Sequence, residues 1–252
     1  MAGPFGHPAL ARQRQGKSVV LPCLPDSPLI IPNDTEKAAA NPLPHPWGNS
    51  DSNARPNCLD SLLESGDYES FLRTAVHTRQ NILLSGPTGS GKTTLTKALI
   101  REIPSHERLI TIEDTRELDL TTHPNHVRLY YSKDGQGTAQ VTPKQLLEAT
   151  LRMKPDRVLL AELRSDEAFY YLRNINSGHP GSITSVHAAS AELAFEQLVL
   201  LVKENESGRE LARADILQLL HRVIDVVIQV GMTHGQRVVT EIRYEGSMAR
   251  TE

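Results

Sequence analysis

Short apolar runs alternate with amphipathic stretches along most of this chain. The runs have the length and composition of buried strands, and they lie at 81–85, 108–112, 127–131, 157–161 and 182–186. Apolar residues at helical spacing occupy the segments between and after them, at 94–100, 143–151, 165–177, 191–202 and 209–220. This alternation is typical of a mostly parallel sheet covered by helices on both faces. We therefore predict an α/β fold.

The first 56 residues follow a different pattern. They contain ten of the sixteen prolines of the chain, and no helical or strand period persists at that density. We interpret this segment as a proline-rich tail that is disordered or loosely extended. After it, apolar spacing predicts two short helices at 59–64 and 68–76, separated by Gly66 and with Asp60 or a neighbour as the first cap.

Capping residues predict several element boundaries. Thr142 and Pro143 suit the N-cap and first position of one helix. Ser165 suits the N-cap of the next helix, and Gly178 suits its C-terminal end. At the end of the chain, two runs at 223–230 and 237–244 predict a hairpin around Thr233-His234-Gly235.

One glycine-rich turn carries the clearest chemical signal. It reads G-x-x-x-x-G-K-T and lies between a predicted strand and a predicted helix, which is the context that a phosphate-binding loop requires. Its backbone N–H groups and the helix N-terminus would bind phosphate oxygens. Lys92 would reach the β- and γ-phosphates, and the Thr93 hydroxyl would ligate Mg²⁺. The predicted nucleotide-binding residues are Gly86, Pro87, Thr88, Gly89, Ser90, Gly91, Lys92, Thr93 and Thr94.

Polar groups follow three other predicted strands. Glu113, Glu162 and His187 each come directly after an apolar run, and ligands of open α/β sheets bind at the carboxyl ends of strands. Glu162 is interpreted as the group that orients the attacking water or holds Mg²⁺ through water. Glu113, next to Asp114, is interpreted as a holder of Mg²⁺-bound water, and His187 as a γ-phosphate sensor.

Composition narrows the functional classes. The net charge is -3 and aromatic residues make up 4%, which argues against a broadly basic or base-stacking nucleic-acid surface. A RecA-like helicase or strand-exchange protein is therefore a weaker alternative, and we expect no sequence-specific nucleic-acid binding. Cys23 and Cys58 are too few for a disulfide scaffold or a tetracysteine zinc element, and they favour a reducing, cytosolic compartment.

Together these motifs resemble the secretion ATPase superfamily of type II and type IV secretion, most closely its VirB11 type. The resemblance rests on GPTGSGKTT as Walker A, IEDTREL as the Asp box, the run ending in LLAELR as Walker B, and SGHPGSITSVHA as the His box. These motifs lie at 86–94, 112–118, 151–164 and 177–188.

The resemblance implies a RecA-like P-loop NTPase domain that uses ATP and Mg²⁺ in a homo-hexameric ring. It also implies a cytoplasmic protein, peripheral at the inner membrane, that works with other secretion components in pilus assembly and in export of protein or DNA–protein substrates. Arg152 and Arg164 become candidates for contacts to phosphates or across a subunit boundary, with surface salt bridges as the alternative. The predicted domains are a tail at 1–57, a helical lead-in at 58–80, the ATPase domain at 81–246 and a tail at 247–252.

The sequence departs from the family at its front, where relatives carry a folded domain that completes the nucleotide pocket. The lead-in resembles the end of that domain, whereas the proline-rich segment does not. A second hypothesis is therefore a truncated or degenerate paralogue that binds nucleotide or docks on the secretion complex without turnover.

Overall fold

The computed structural model describes residues 21–22, 55–132 and 141–245, with side chains over 58–132 and 141–245. The helices in this part of the chain are Arg55–Ser65 (α1), Tyr68–His77 (α2), Lys92–Arg101 (α3), Pro143–Thr150 (α4), Glu167–Asn176 (α5), Ala191–Glu204 (α6), Glu206–Arg209 (α7) and Arg213–Val223 (α8). The strands are Leu21–Pro22 (β1), Ile82–Ser85 (β2), Leu109–Glu113 (β3), His126–Tyr130 (β4), Arg157–Leu160 (β5), Ile183–Val186 (β6), Val226–Thr233 (β7) and Gln236–Tyr244 (β8). None of the described helices is both long and apolar enough to cross a bilayer.

The strands form two hydrogen-bonded groups that lie side by side. In the first, the order is β1-β8-β7-β2-β6, with β2 parallel to both β6 and β7 and antiparallel pairing in β7–β8 and β1–β8. In the second, β3 lies between β4 and β5, and all three are parallel.

Serine side chains connect the two groups where β5 lies beside β6. Ser182 Oγ donates to Val158 O at 2.9 Å, and Ser185 Oγ donates to Ala161 O at 3.0 Å. The Leu163 amide donates to Ser185 O at 2.8 Å. The carboxyl ends of β2, β6, β5 and β3 consequently meet along one edge.

Apolar side chains of the strands point alternately to two faces, as a period of two requires. Ile82 and Leu84 pack in one core cluster with residues of α1, α2 and α3. Leu83 packs in the other cluster with residues of α4, α5, α6 and α8. The prediction of a mostly parallel sheet flanked by helices is therefore confirmed.

Several predicted boundaries need correction. Helix α5 begins at Glu167 with Asp166 at its N-cap, so the prediction of Ser165 as the cap is wrong. The Glu167 carboxylate instead accepts hydrogen bonds from the Arg164 and Ser165 amides at 2.6 and 3.0 Å. The Ser165 hydroxyl is directed to Glu204, at 2.9 Å.

Two more predictions about helix starts are wrong. The segment predicted as one helix from residue 209 consists of the end of α7 and then α8, which begins at Arg213. Asp60 lies inside α1 and so cannot cap it. By contrast, Thr142 caps α4 as predicted, because its side chain and that of Gln145 form a capping box with Pro143 at the helix start.

Within the predicted tail, Leu21–Pro22 forms a short strand that pairs with β8, and Arg55–Pro56 opens α1. The rest of the predicted proline-rich tail lies outside the described residues, as does the whole of the predicted tail at 247–252.

A buried ion pair lies at the opposite edge of the sheet, where β5 begins. Arg157 is 0% exposed and donates from Nε and Nη2 to the Glu107 carboxylate at 2.6 and 3.1 Å. Arg79 reaches the same carboxylate at 3.3 Å and Asp156 at 3.5 Å. These charges therefore neutralise one another, as burial requires.

Candidate active site at the phosphate-binding loop

The predicted phosphate-binding loop connects β2 to α3, and the β7–β8 hairpin packs directly against its backbone. A Cβ atom at Gly86 would lie 2.3 Å from the Val230 carbonyl oxygen, and one at Gly91 would lie 3.0 Å from Cδ of Arg237. Both glycines also have positive φ angles, 155° and 102°. The hairpin backbone therefore excludes a side chain at Gly86, and the positive φ angle favours glycine at Gly91, both for reasons independent of phosphate binding.

Lys92 lies at the first position of α3 and is buried. Its ammonium group donates to the carbonyl oxygens of Gly86 and Pro87 at 2.6 and 3.1 Å. It also lies 3.1 Å from Nδ1 of His187. Burial lowers the pKa of Lys92, while the nearby Glu162 carboxylate opposes that shift. The loop thus holds a buried cation by its own carbonyl groups.

His187 follows β6 and connects Lys92 to Glu162. Because an ammonium group only donates hydrogen bonds, Nδ1 of His187 must accept, and the proton of the neutral ring is on Nε2. Nε2 lies in close contact with Oε1 of Glu162. Burial and the Lys92 charge lower the pKa of His187. Both effects favour the neutral ring.

Glu162 follows β5, and its carboxylate is largely buried between His187 and Arg164, both in close contact. Burial raises the pKa of Glu162 to about 7; Lys92 opposes this shift, and Glu117 and Asp114 reinforce it. A carboxylate with a pKa near neutrality is suited to general-base chemistry.

Arg164 completes a chain of alternating charges along this edge. It contacts Glu162 and also donates from Nη1 to Asp114 at 2.8 Å. We considered Arg164 from the sequence as a contact to phosphates or to a second subunit, and the structure places it among the cleft residues of its own chain. In the sequence, the position of an arginine two residues after Glu162 is what indicates this ion pair.

Glu113 and Arg152 do not reach the cleft. The Glu113 carboxylate is fully buried and accepts hydrogen bonds from the hydroxyl of Thr111, the guanidinium of Arg128 and the amides that begin the next turn. Those amides belong to Glu117 and Leu118, at 2.8 and 2.9 Å. Arg152 is exposed after the end of α4. The structure therefore gives Glu113 a role in shaping the turn after β3, and catalytic roles for both residues stay predictions.

The cleft has a volume of about 270 Å³ and opens at the carboxyl edge of the sheet. Its lining combines loop residues, acidic residues after β3 and β5, and one arginine of β8. The residues are Thr88, Gly89, Gly91, Lys92, Thr93, Thr94, Asp114, Glu117, Ala161, Glu162, Arg164, Ser185, His187 and Arg237. Of the predicted nucleotide-binding residues, Gly86 and Pro87 contribute carbonyl groups to Lys92, and Ser90 is buried beneath the loop. Glu117 and Arg237 are not predicted from the sequence as cleft residues because neither directly follows an apolar strand.

The residues present fit a magnesium ion held mainly through a nucleotide. Thr93 Oγ1 is exposed in the cleft, 3.4 Å from the Glu117 carboxylate. Within the described residues no group of three or more His, Cys, Asp or Glu side chains could hold a metal by itself. In the usual Mg²⁺ site phosphates and water supply most of the ligands, and the Thr93 hydroxyl would add one oxygen.

The loop between a parallel strand and a helix, with Glu162 and His187 at the same sheet edge, defines the class: this is an α/β protein with a RecA-like P-loop NTPase fold. A family model described as "Type II/IV secretion system protein" matches residues 51–242. The chain therefore belongs to the type II/IV secretion system protein family.

Individual relatives point to one branch of that family. "Type IV secretion system protein VirB11" of Bartonella quintana is 60% identical over 187 residues, and the protein of that name from Brucella suis is 51% identical over 197 residues. These matches cover 74% and 76% of this chain. They confirm the resemblance to the VirB11 type.

A solved structure agrees with these relatives. The VirB11 ATPase of the Brucella suis type IV secretion system, crystallised with sulphate, superposes with a TM-score of 0.71 at 48% identity, over 77% of this chain and 59% of that one. The pilus retraction motor PilT, at 24% identity and a TM-score of 0.52, shares the fold. This chain spans about half the length of the curated relatives it matches, 52% and 55% for the two named above.

Proposed function

We propose that this chain hydrolyses ATP as the motor subunit of a type IV secretion system. The observation that carries the proposal is the continuous contact from Lys92 through His187 to Glu162 at the phosphate-binding loop. A phosphate-binding cation and a carboxylate with a raised pKa thus share one cleft. The names of the relatives, which include a VirB11 ATPase, support the same activity.

Each residue of the cleft has a defined task in this proposal. Lys92 binds the β- and γ-phosphates and neutralises charge that develops as the γ-phosphoryl group leaves. Thr93 supplies its hydroxyl to Mg²⁺, which would neutralise phosphate charge when bound. Glu162 orients the attacking water and accepts its proton, and with a pKa of about 7 roughly half of the carboxylate is ionised at neutral pH.

His187 links the two functions. Its neutral ring accepts from Lys92 and presents Nε2–H toward Glu162. When Lys92 turns to a phosphate, His187 loses that partner and its Nδ1 is free to accept from another donor. We therefore propose His187 as the residue through which phosphate binding alters the surroundings of Glu162.

The assembly proposed for the motor is a homo-hexameric ring at the cytoplasmic face of the inner membrane. There it would work with other type IV secretion components in pilus assembly and export of protein or DNA–protein substrates. The ring and its partners rest on family membership, and the net charge of -3 supports partners other than bulk nucleic acid.

An ATPase assay on the purified chain tests the activity. Turnover should be measurable for the unchanged protein and at least about 100-fold lower for Lys92→Ala, because one positioned charge in a phosphoryl-transfer site contributes several kcal/mol. Lys97→Ala is the matched control, since Lys97 is a partly exposed lysine of the same helix outside the cleft. It should keep full turnover.

The same assay separates the proposal from binding without turnover. If the unchanged chain binds ATP but its phosphate release equals that of Lys92→Ala, the hydrolysis proposal fails and the binding hypothesis is supported. Native mass measurement with and without nucleotide tests the ring, and a monomer under all conditions contradicts it.

A further inference from the structure

Arg237 is the cleft residue that the proposed mechanism does not use. It is the second residue of β8, and its side-chain stem crosses the loop beside Gly91, with Cδ 3.0 Å from the position of a Cβ there. The hairpin turn that precedes it is tight. His234 and Gly235 both have positive φ angles, 51° and 77°, as a two-residue type I′ turn requires.

The packing of the hairpin fixes where Arg237 lies. The Val230 carbonyl of β7 sits against Gly86 at one end of the loop, and Arg237 of β8 sits against Gly91 at the other. Since β7 is also hydrogen-bonded to β2, the hairpin and the loop form one unit. The arginine is thus held beside the loop by the backbone rather than by a flexible segment.

The charge of Arg237 differs from the other charges of the cleft. Lys92 and Arg164 are each bonded to acceptors or carboxylates of the chain. Within the described residues, the side chain of Arg237 takes part in no hydrogen bond or ion pair and is exposed at the cleft. A guanidinium group with five donors is suited to phosphate oxygens.

The order of the strands determines which phosphate group of a bound nucleotide Arg237 can contact. His187, Glu162 and Asp114 follow β6, β5 and β3, which all lie on one side of β2. Arg237 belongs to β8, on the other side of β2. In a P-loop site the γ-phosphate faces the catalytic carboxylate and the lysine, while the loop surrounds the inner phosphates. A nucleotide bound in this way would have its nucleoside end toward the hairpin.

We propose that Arg237 binds the α-phosphate of the nucleotide and thereby strengthens binding of ADP and ATP alike. This inference rests on the proposed nucleotide site and assigns to β8 a contact on the nucleoside side of the loop. Arg237 acts in binding, whereas the groups after β5 and β6 act on the γ-phosphate. Its loss should therefore weaken the binding of both nucleotides to the same extent.

The experiment measures the dissociation constants of Mg-ADP and of a non-hydrolysable Mg-ATP analogue for three proteins. Arg237→Ala should weaken both nucleotides by the same factor, about tenfold, since one charge-assisted hydrogen bond contributes roughly that much. Arg237→Lys should recover most of the affinity because it keeps the positive charge. Arg222→Ala, which removes an exposed arginine at the end of α8, is the charge-matched control and should bind like the unchanged chain.

Thermal unfolding without nucleotide shows that each variant is folded, because it reports stability independently of the site. Equal affinities for Arg237→Ala and the unchanged chain would overturn the inference. A loss confined to the ATP analogue would also overturn it, since that result places Arg237 at the γ-phosphate. If the unchanged chain binds neither nucleotide, the proposed function itself fails, which is a distinct result.

Discussion

Two networks of charged residues lie at opposite edges of the same sheet. Both pair arginines with carboxylates, but their roles differ. At the amino edge of β5, Arg157 and Glu107 are 0% and 5% exposed, and paired hydrogen bonds join them. At the carboxyl edge of β5, Glu162 and Arg164 are 13% and 34% exposed, and they share their charges with His187 and Asp114.

The difference indicates that the geometry of charge pairing, more than the presence of charged residues, determines whether a network supports stability or activity. A buried ion pair whose hydrogen bonds are all formed costs free energy to break, and its charged groups are not available for a reaction. In the partly exposed network at the carboxyl edge, each charged group has more than one charged neighbour. Glu162 in this network has a raised pKa and faces the solvent-accessible cleft. We expect the first network to support stability and the second to support activity.

Substitution of Arg157 should give the largest loss of stability. Arg157→Ala leaves the buried Glu107 carboxylate with the partly exposed Arg79 as its remaining cation. Removing one partner of a buried ion pair costs about 3–5 kcal/mol. Urea unfolding measures the free energy directly, and the transition midpoint should fall sharply.

Two comparisons sharpen this test. Arg73→Ala, which removes partly exposed pairs with Glu69 and Glu102, should cost no more than about 1 kcal/mol. Arg157→Met combined with Glu107→Leu should recover much of the loss, because neither charge is then left alone. A cost of Arg157→Ala similar to that of Arg73→Ala would contradict the assignment.

Substitution of Glu162 should affect turnover instead. Glu162→Gln keeps the shape of the side chain and removes the base, so we expect kcat to fall about 1,000-fold, equal to about 4 kcal/mol. Steady-state phosphate release measures this, and the free energy of unfolding should change by no more than about 1 kcal/mol. Glu192→Gln, an exposed substitution in the first turn of α6, is the control. If Glu162→Gln destabilised the fold without a specific loss of turnover, the roles that we assign to the two networks would be reversed.

Turnover should depend on pH through Glu162. The base acts when it is deprotonated, and burial raises its pKa to about 7. The value of kcat/KM should therefore fall as the pH drops below about 7, approaching tenfold per pH unit well below that value. The residual activity of Glu162→Gln should lack this acid limb. If the limb persists in that variant, another group titrates.

Substitution of Arg164 should produce the smallest effect and the most specific one. Arg164→Gln removes the cation in contact with Glu162, which favours the protonated carboxyl group. The acid limb should shift to higher pH, while stability changes by no more than about 1 kcal/mol because the arginine is partly exposed. A shift toward lower pH, measured by the kcat/KM profile, would contradict the arrangement.

Much of the fold could be predicted from the sequence because the strands are short apolar runs with helical spacing between them. The loop, Lys92, Glu162 and His187 followed from motif and position at strand ends. The ends of helices were harder to predict where a capping side chain bonds to a distant residue instead of its own helix. Ser165 is a good cap by type, yet its hydroxyl bonds to Glu204 of another helix, and no local pattern contains that contact.

Residues with long-range partners were also hard to assign. Glu113 follows an apolar strand just as Glu162 does, but its carboxylate turns inward to Arg128 and to the amides of the next turn. Arg237 lies late in the chain, without a motif, and reaches the cleft because β8 folds back along β7. Both outcomes depend on neighbours that are distant in sequence.

The sequence by itself determined the chemical repertoire of this protein: a loop that can bind phosphate, a lysine at its end, and polar groups after three strands. Local spacing suffices for these features because each depends on one strand and the turn after it. Tertiary structure decided which polar groups share the cleft, since the order of strands places Glu162 and His187 on one side of the loop and Arg237 on the other. It also decided their charge states, because burial and neighbouring charges, rather than residue type, set the pKa values of Lys92, Glu162 and His187.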